Sequence, residues 1–167
     1  MPKITLDDTD IRLLRILQEN ARLSNVELAE RVGLSASPCL RRMRQLEDSG
    51  VIKGYMTLID QNVIGLPVSV FISVTLKEQS ERALDEFEGR IRALPEVMEC
   101  YLMTGTADYL LRVVTADLAA YERFLKEHLT RIPAIASIQS SFALKQVSFR
   151  TALPLPLGQA HIESENH

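Results

Sequence analysis

The stretch Ser35-Ala36-Ser37-Pro38-Cys39-Leu40-Arg41-Arg42-Met43-Arg44 sets three arginines within four residues, and no acid follows until Glu47. Guanidinium groups can clamp phosphates or take the acceptor edge of guanine at two points, and the nearby Gln45 amide can contact adenine. On a helix, Ala36, Leu40, Met43 and Glu47 fall along one stripe, with Leu46 near it. Ser37, Arg41 and Arg44 form the opposite stripe, flanked by Pro38, Arg42 and Gln45. The first stripe is expected to face a core. The second offers hydroxyls, guanidiniums and an amide at groove-reading spacing. A merely solvated arginine-rich face is the alternative.

The flanking residues predict elements that would present such a helix. Thr5 or Asp7 can cap a first helix, whose dipole suits Asp7, Asp8 and Asp10. Ile11, Leu14 and Leu17 recur at helical spacing, with Leu13 beside them, until Asn20-Ala21-Arg22. Ser24-Asn25-Val26-Glu27 has the form of a capping box and opens a short second helix with Leu28, Ala29 and Val32 inward. Gly33 suits the left-handed position after it, and Ser35 is a natural N-cap for a third helix over 36–48, stopped by Ser49-Gly50. Helix, short turn, helix is the helix-turn-helix arrangement, with a generic three-helix unit as the alternative. Residues 50–60 alternate enough to suggest a strand, half of a two-stranded wing, with Lys53 near the backbone of bound DNA. Gln61 to Pro67 reads as a linker.

Beyond it the pattern changes. Residues 67–77 alternate as a strand through Val68, Val70, Ile72, Val74 and Leu76. A helix over 80–94 carries Ala83, Leu84, Phe87, Ile91 and Leu94. Strands over 97–103 and 109–114 flank a loop at 104–108, and Asp117 caps a helix with Leu118, Tyr121, Leu125 and Leu129. A last strand lies within 135–148, with Ile138, Ser140, Phe142 and Leu144 on one face. The order βαββαβ is a ferredoxin-like unit whose sheet has one helix-covered face. Phe71, Met98, Cys100 and Leu102 are expected on the other, where sheets of two copies would pack. TALPLPLGQAHIESENH should form an extended arm ending in about eight disordered residues. The fold class is therefore α+β: a winged helix-turn-helix domain over 1–60, a linker over 61–67, a βαββαβ domain over 68–150 and an arm over 151–167.

Composition narrows the function. Of 167 residues 46% are hydrophobic and 25% charged, as in an ordinary soluble globular protein, and the net charge is -3. Residues 1–65 hold nine basic and nine acidic residues, so any nucleic-acid face must come from local clustering. No apolar run suggests a membrane span and the N-terminus has no secretory pattern, so a cytoplasmic protein is expected. Cys39 and Cys100, the two cysteines, fall in different domains and are expected as reduced thiols. His128, His161 and His167 have no partners at metal-ligand spacing, and no nucleophile motif, P-loop or dinucleotide fingerprint occurs.

The chain resembles the Lrp/AsnC (leucine-responsive, asparagine-responsive) family of prokaryotic transcription regulators. The segments ENARLSNVELAERVGLS, SPCLRRMRQLEDSGVI and PEVMECYLMTGTADYLLRV carry the resemblance, which covers nearly the whole chain. It implies a dimer that binds double-stranded DNA, assembles to a tetramer or octamer, and senses a small molecule, usually an amino acid. It needs no cofactor. Ser35, Ser37, Pro38, Cys39, Arg41, Arg42 and Arg44 match the family's recognition helix. Thr104, Gly105, Thr106, Ala107, Asp108 and Tyr109 match its ligand loop, with Ser140 and Ser141 as contributions from a neighbouring subunit. Loop N–H groups would take an amino acid's carboxylate and Asp108 its ammonium. Where many similar relatives have an acid directly after the glycine, this chain has Thr106. An apolar amino acid such as leucine or methionine is the effector expected. A ferredoxin-like enzyme with an appended binding module, or an interaction module that has lost DNA affinity, are the rival readings.

Overall fold

The computed structural model describes residues 4–155 and 160–162. It divides into two compact units, one running to Thr57 and including the residues from Ser148 onward, the other spanning Leu58–Val147.

The first unit is built on three helices, α1 (Asp8–Glu19), α2 (Asn25–Val32) and α3 (Ala36–Asp48), after a short strand β1 (Ile4–Leu6). Asp7 caps α1 by accepting the Thr9 and Asp10 N–H groups, and Asp10 returns a bond to the Asp7 N–H. Ser24 and Glu27 form the expected capping box on α2, and these bonds hold the Glu27 carboxyl below its ordinary range. Gly33 ends α2 at φ 72°, a left-handed conformation that glycine adopts without steric cost. Leu13, Leu28, Ala29, Val32 and Cys39 form the centre of the core.

Helix α3 is rotated from the orientation its sequence suggests. Cys39, Met43 and Leu46 are its buried residues, whereas Leu40 is 41% exposed and Ala36 is exposed. Ser35 occupies the N-cap but makes no side-chain capping bond.

The strand expected within 50–60 is not formed. Val51 and Ile52 pack on the helical core, and from Lys53 the chain runs without secondary structure, with Met56 86% exposed. Alternating apolar residues supply strand propensity, but a strand persists only against a ladder partner, and no described residues pair with this segment. The two-stranded sheet of this unit joins the chain's ends instead: β1 pairs antiparallel with β6 (Ala160–Ile162). Residues 160–162 thus form a strand where the sequence suggests a disordered tail; residues 163–167 of that tail lie outside the described residues.

The second unit follows the βαββαβ order. β2 (Val68–Leu76), β3 (Val97–Leu102), β4 (Tyr109–Thr115) and β5 (Ile135–Phe142) form an antiparallel sheet in the order β3-β4-β2-β5. Helices α4 (Glu81–Arg92) and α5 (Leu118–Glu127) start from side-chain caps at Ser80 and Asp117. Val70, Ile72, Val74 and Leu76 of β2 pack with Leu111, Val113, Phe87, Ile91 and Phe124 into one core. β5 stops at Phe142, and Leu144 is fully exposed.

The register corrects which residues share the open sheet face. Cys100 pairs with Leu111 and Leu102 with Tyr109, and both partners are buried. Directly paired residues point to the same side, so Cys100 and Leu102 belong to the helix-covered face. Met98 sits at a bulge between Val97 and Glu99, which breaks the alternation that the sequence suggests. The open face carries Phe71, Leu110, Arg112, Glu99 and Tyr101, with Phe71 39% exposed. There Arg112 donates to Glu99 at 2.7 Å, and Tyr101 donates to the same carboxylate at 2.9 Å.

Candidate DNA interface and effector loop

The turn between α2 and α3 is fixed by three local bonds. Leu34 N–H donates to the Ala29 carbonyl, Gly33 N–H to that of Glu30, and the Asn25 side chain donates to the Ala36 carbonyl at 2.8 Å. With Cys39, Met43 and Leu46 buried, the opposite face of α3 presents Ser37, Arg41, Arg44 and Gln45, all exposed. Ser35 is exposed at the helix start, Pro38 is half-buried, and Lys53 is exposed beyond the helix end. A cleft of about 670 Å³ runs beside α3, lined by Ser37, Arg41, Arg42, Arg44 and Gln45 of that helix and by Leu6 and Asp10 from the start of the chain's helical core.

Two of the candidate DNA residues are redirected by the fold. Cys39 is completely buried and cannot touch DNA; burial also pushes its thiol above the ordinary cysteine value. Arg42 lies on the flank of α3 that meets α1, where its Nη1 sits 2.6 Å from Asp7 and 2.8 Å from Asp10. Bonds to Asp10 and then Asp7 raise the Arg42 pKa. Burial raises the Asp7 carboxyl, but the Asp10 amide, Arg42 and the Thr9 amide outweigh it and hold the group below its ordinary value. Arg42 is thus held between two carboxylates and joins α3 to the start of α1. The sequence contained the two acids as helix-capping residues, but nothing local tied them to an arginine more than thirty positions away.

In the second unit the β3–β4 connection carries the loop residues. Thr104, Gly105 and Thr106 are exposed, and Ala107 is half-buried. Gly105 has φ 129°, in the region that favours glycine. The loop base is closed by Met103 N–H donating to the Asp108 carbonyl at 2.8 Å. Asp108 itself is 8% exposed and turned inward: Oδ2 accepts the Leu76 N–H at 2.7 Å, and Oδ1 accepts from the Gln79 amide at 2.6 Å. Each oxygen accepts one bond from the protein, and these bonds anchor the loop to β2. Tyr109 is likewise not a loop-facing residue. Its ring is 1% exposed and lies 4.5 Å from Phe87 by centroids, and its hydroxyl donates to Glu88 at 2.9 Å. Burial and then the Glu88 carboxylate push its pKa far up.

Ser140 and Ser141 point to opposite faces of β5. The Ser140 hydroxyl bonds that of Tyr121 on the helix side, whereas Ser141 is exposed and pairs with Phe71. Within one chain neither is brought to the loop: Ser140 pairs with Ile72 and Ser141 with Phe71, while Asp108 bonds Val74 and Leu76 near the far end of β2. The anchoring partners Gln79 and Glu88 carried no sequence signal, because their roles arise only when α4 closes over the sheet.

Two family descriptions cover the chain. Residues 6–53 match a winged helix-turn-helix DNA-binding family, and residues 69–153 match the Lrp/AsnC ligand binding domain. The chain belongs to the Lrp/AsnC family of transcription regulators. It is 50% identical to the Bkd operon transcriptional regulator of Pseudomonas aeruginosa, across 90% of this chain and 98% of that one. It is 41% identical to the leucine-responsive regulatory protein of Rhizobium meliloti, across 87% and 93% of the two chains. Among solved structures, a transcriptional regulator from Neisseria meningitidis in complex with L-Met superposes with TM-score 0.85 at 43% identity, over 89% of this chain and 96% of that one. The named relatives are regulators rather than enzymes. This Lrp/AsnC protein is accordingly a DNA-binding transcription regulator that carries a small-molecule-binding domain. No described helix is long and apolar enough to cross a membrane, and the described residues hold no cluster of three or more metal-ligating side chains.

Proposed function

We propose that α3 enters the major groove of DNA and that Arg41 and Arg44 are its principal contacts, with Ser37 and Gln45 beside them and Ser35, Pro38 and Lys53 at the margins. One observation carries this reading: the side of α3 opposite the buried Cys39, Met43 and Leu46 is exposed and holds both arginines, neither of which is engaged as Arg42 is. An Arg41→Ala, Arg44→Ala double variant should bind operator DNA at least 100-fold more weakly in a gel-shift titration at constant salt, since each charge-assisted contact to DNA contributes roughly 1.5–3 kcal/mol. Unchanged affinity refutes it.

The effector is an amino acid with an apolar side chain, and it meets the loop at Thr104, Gly105, Thr106 and Ala107. The Neisseria relative's complex with L-Met supports this class. Asp108 acts behind the loop by holding it, and Ser141 serves a neighbouring subunit, a role its exposure supports. A thermal-shift screen of the common amino acids tests the class, with methionine and leucine expected among those that raise Tm. If none does so at millimolar concentration, the assignment fails.

The working unit is a homodimer that builds to tetramers or octamers. Support for sheet-face pairing comes from Phe71 and Tyr101, which are 39% and 52% exposed around the Glu99–Arg112 pair. A monomer in sedimentation equilibrium at micromolar concentration refutes it. The protein works in the cytoplasm, where its DNA is, and catalyses no reaction.

A further inference from the structure

The Leu-Pro-Leu-Pro motif near the C-terminus has no part in the DNA or effector readings, yet its described residues are bonded to α1. The Gln18 side-chain amide grips Leu153 at two points: Oε1 accepts the Leu153 N–H at 2.6 Å and Nε2 donates to the Leu153 carbonyl at 3.3 Å. One turn earlier on the helix, Arg15 donates to the Leu155 carbonyl at 3.2 Å. The Leu155 side chain packs against the cluster that contains Leu13, Cys39 and Met43. Farther along, Ala160–Ile162 pairs with Ile4–Leu6.

These contacts have the chemistry of a peptide site. A primary amide that satisfies both the donor and the acceptor of one residue imitates a neighbouring β-strand. Pro154 has no N–H to leave unpaired and disfavours a helical conformation at Leu153, so the segment stays extended between its two grips. Leu155 then supplies an apolar anchor.

We propose that α1 carries a docking site for Leu153-Pro154-Leu155 of its own chain, and that the docked arm is a working part of the DNA-binding unit. The link to DNA runs through the shared core. Leu155 rests on the same cluster as Cys39, Met43 and Leu46, which seat α3, so releasing the arm loosens the base of the reading helix. Only molecules with α3 correctly seated bind, so the apparent affinity falls with their fraction. This consequence rests on the DNA-binding reading above; the docking itself does not.

Amide hydrogen exchange on the full-length chain tests the docking. The Leu153 N–H should be protected in the wild type. In Gln18→Ala it should exchange faster by roughly 5-fold, within the range of about 2- to 13-fold set by one net hydrogen bond. Leu155→Ser should also accelerate it. Protection should be independent of protein concentration over a 100-fold range. Operator affinity should fall several-fold in Leu155→Ser while the salt dependence of binding stays unchanged, because no phosphate contact is removed. An unprotected Leu153 amide in the wild type, or equal exchange in wild type and both variants, overturns the docking site. Protection that grows with concentration overturns the own-chain assignment in favour of an arm from a second copy. Faster exchange with unaltered DNA affinity overturns the working role. A wild-type chain that binds no DNA defeats the earlier reading alone, since exchange is measured without DNA.

Discussion

The position of Arg42 makes a quantitative prediction about salt. Each phosphate neutralised by a lysine or arginine releases counterions, and the slope of log K against log[salt] is about -0.9 per contact on B-DNA. If all three α3 arginines faced phosphate, a dimer would gain about six contacts and a slope near -5.4. With Arg42 held by Asp7 at 2.6 Å and Asp10 at 2.8 Å, its charge is matched inside the protein, leaving Arg41 and Arg44 and a slope near -3.6 from α3. Between 50 and 200 mM salt that is roughly a 150-fold loss of affinity rather than roughly 1,800-fold. Lys53 adds the same amount to either slope, so the decisive measurement is differential. Fluorescence anisotropy titrations at four salt concentrations should give Arg41→Ala and Arg44→Ala dimers slopes shallower by about 1.8 each. Arg42→Ala should leave the slope alone and instead lower the stability of the first unit by roughly 1 kcal/mol, the worth of a half-exposed ion pair. A slope that drops by about 1.8 in Arg42→Ala, with unchanged Tm, would show that the guanidinium leaves its acids to meet DNA and would refute the argument.

Asp7, held below its ordinary value of 3.8, contributes stability that is complete above that value and is lost as pH falls through the lower folded value. The stability gap between wild type and Asp7→Asn in urea titrations should therefore be constant from pH 7 to 5 and close below about pH 4. Gly33→Ala forces a left-handed φ of 72° on a residue with a Cβ and should cost roughly 1–2 kcal/mol, read as a lower Tm. Asp108→Ala leaves the Leu76 N–H, buried under the loop, without its acceptor; a destabilisation of roughly 1–3 kcal/mol in chemical unfolding is expected. Asp108→Asn keeps an acceptor and should recover part of that loss.

What the sequence made legible was local. The Ser24–Glu27 capping box, the left-handed Gly33, the alternation from Val70 to Leu76 and the Asp117 cap each depend on residues within a few positions of one another, and each is present. The errors share the opposite property. The partners of Arg42 come from another helix, and those of Asp108 from β2 and the residue before the cap of α4, so neither set is visible locally. Cys39 and Leu40 exchanged places because neighbouring residues on a helix differ little in which stripe they join. Only packing against α1 and α2 decided that the small, apolar thiol goes inside. The bulge at Met98 moved Cys100 and Leu102 to the other face, as a single extra residue must in a structure of period two.

The same long-range pairing explains how an acidic chain can hold a DNA face. Asp7 and Asp10 are near the arginines of α3, yet they do not cancel the reading surface, because they are committed to Arg42 on the flank and to the cap of α1. Asp48 shares the stripe of Ser37, Arg41 and Arg44 and lies exposed at the C-terminal end of α3. A carboxylate there repels phosphate, whereas Arg41 and Arg44 attract it nearer the helix start. Charge along this one face therefore has a direction, favouring an approach in which the earlier turns of α3 lie deepest in the groove, the orientation that helix-turn-helix readers use. The balance of nine acids and nine bases in residues 1–65 is thus compatible with DNA binding, since the potential along α3 depends on the order of its charges and not on their sum.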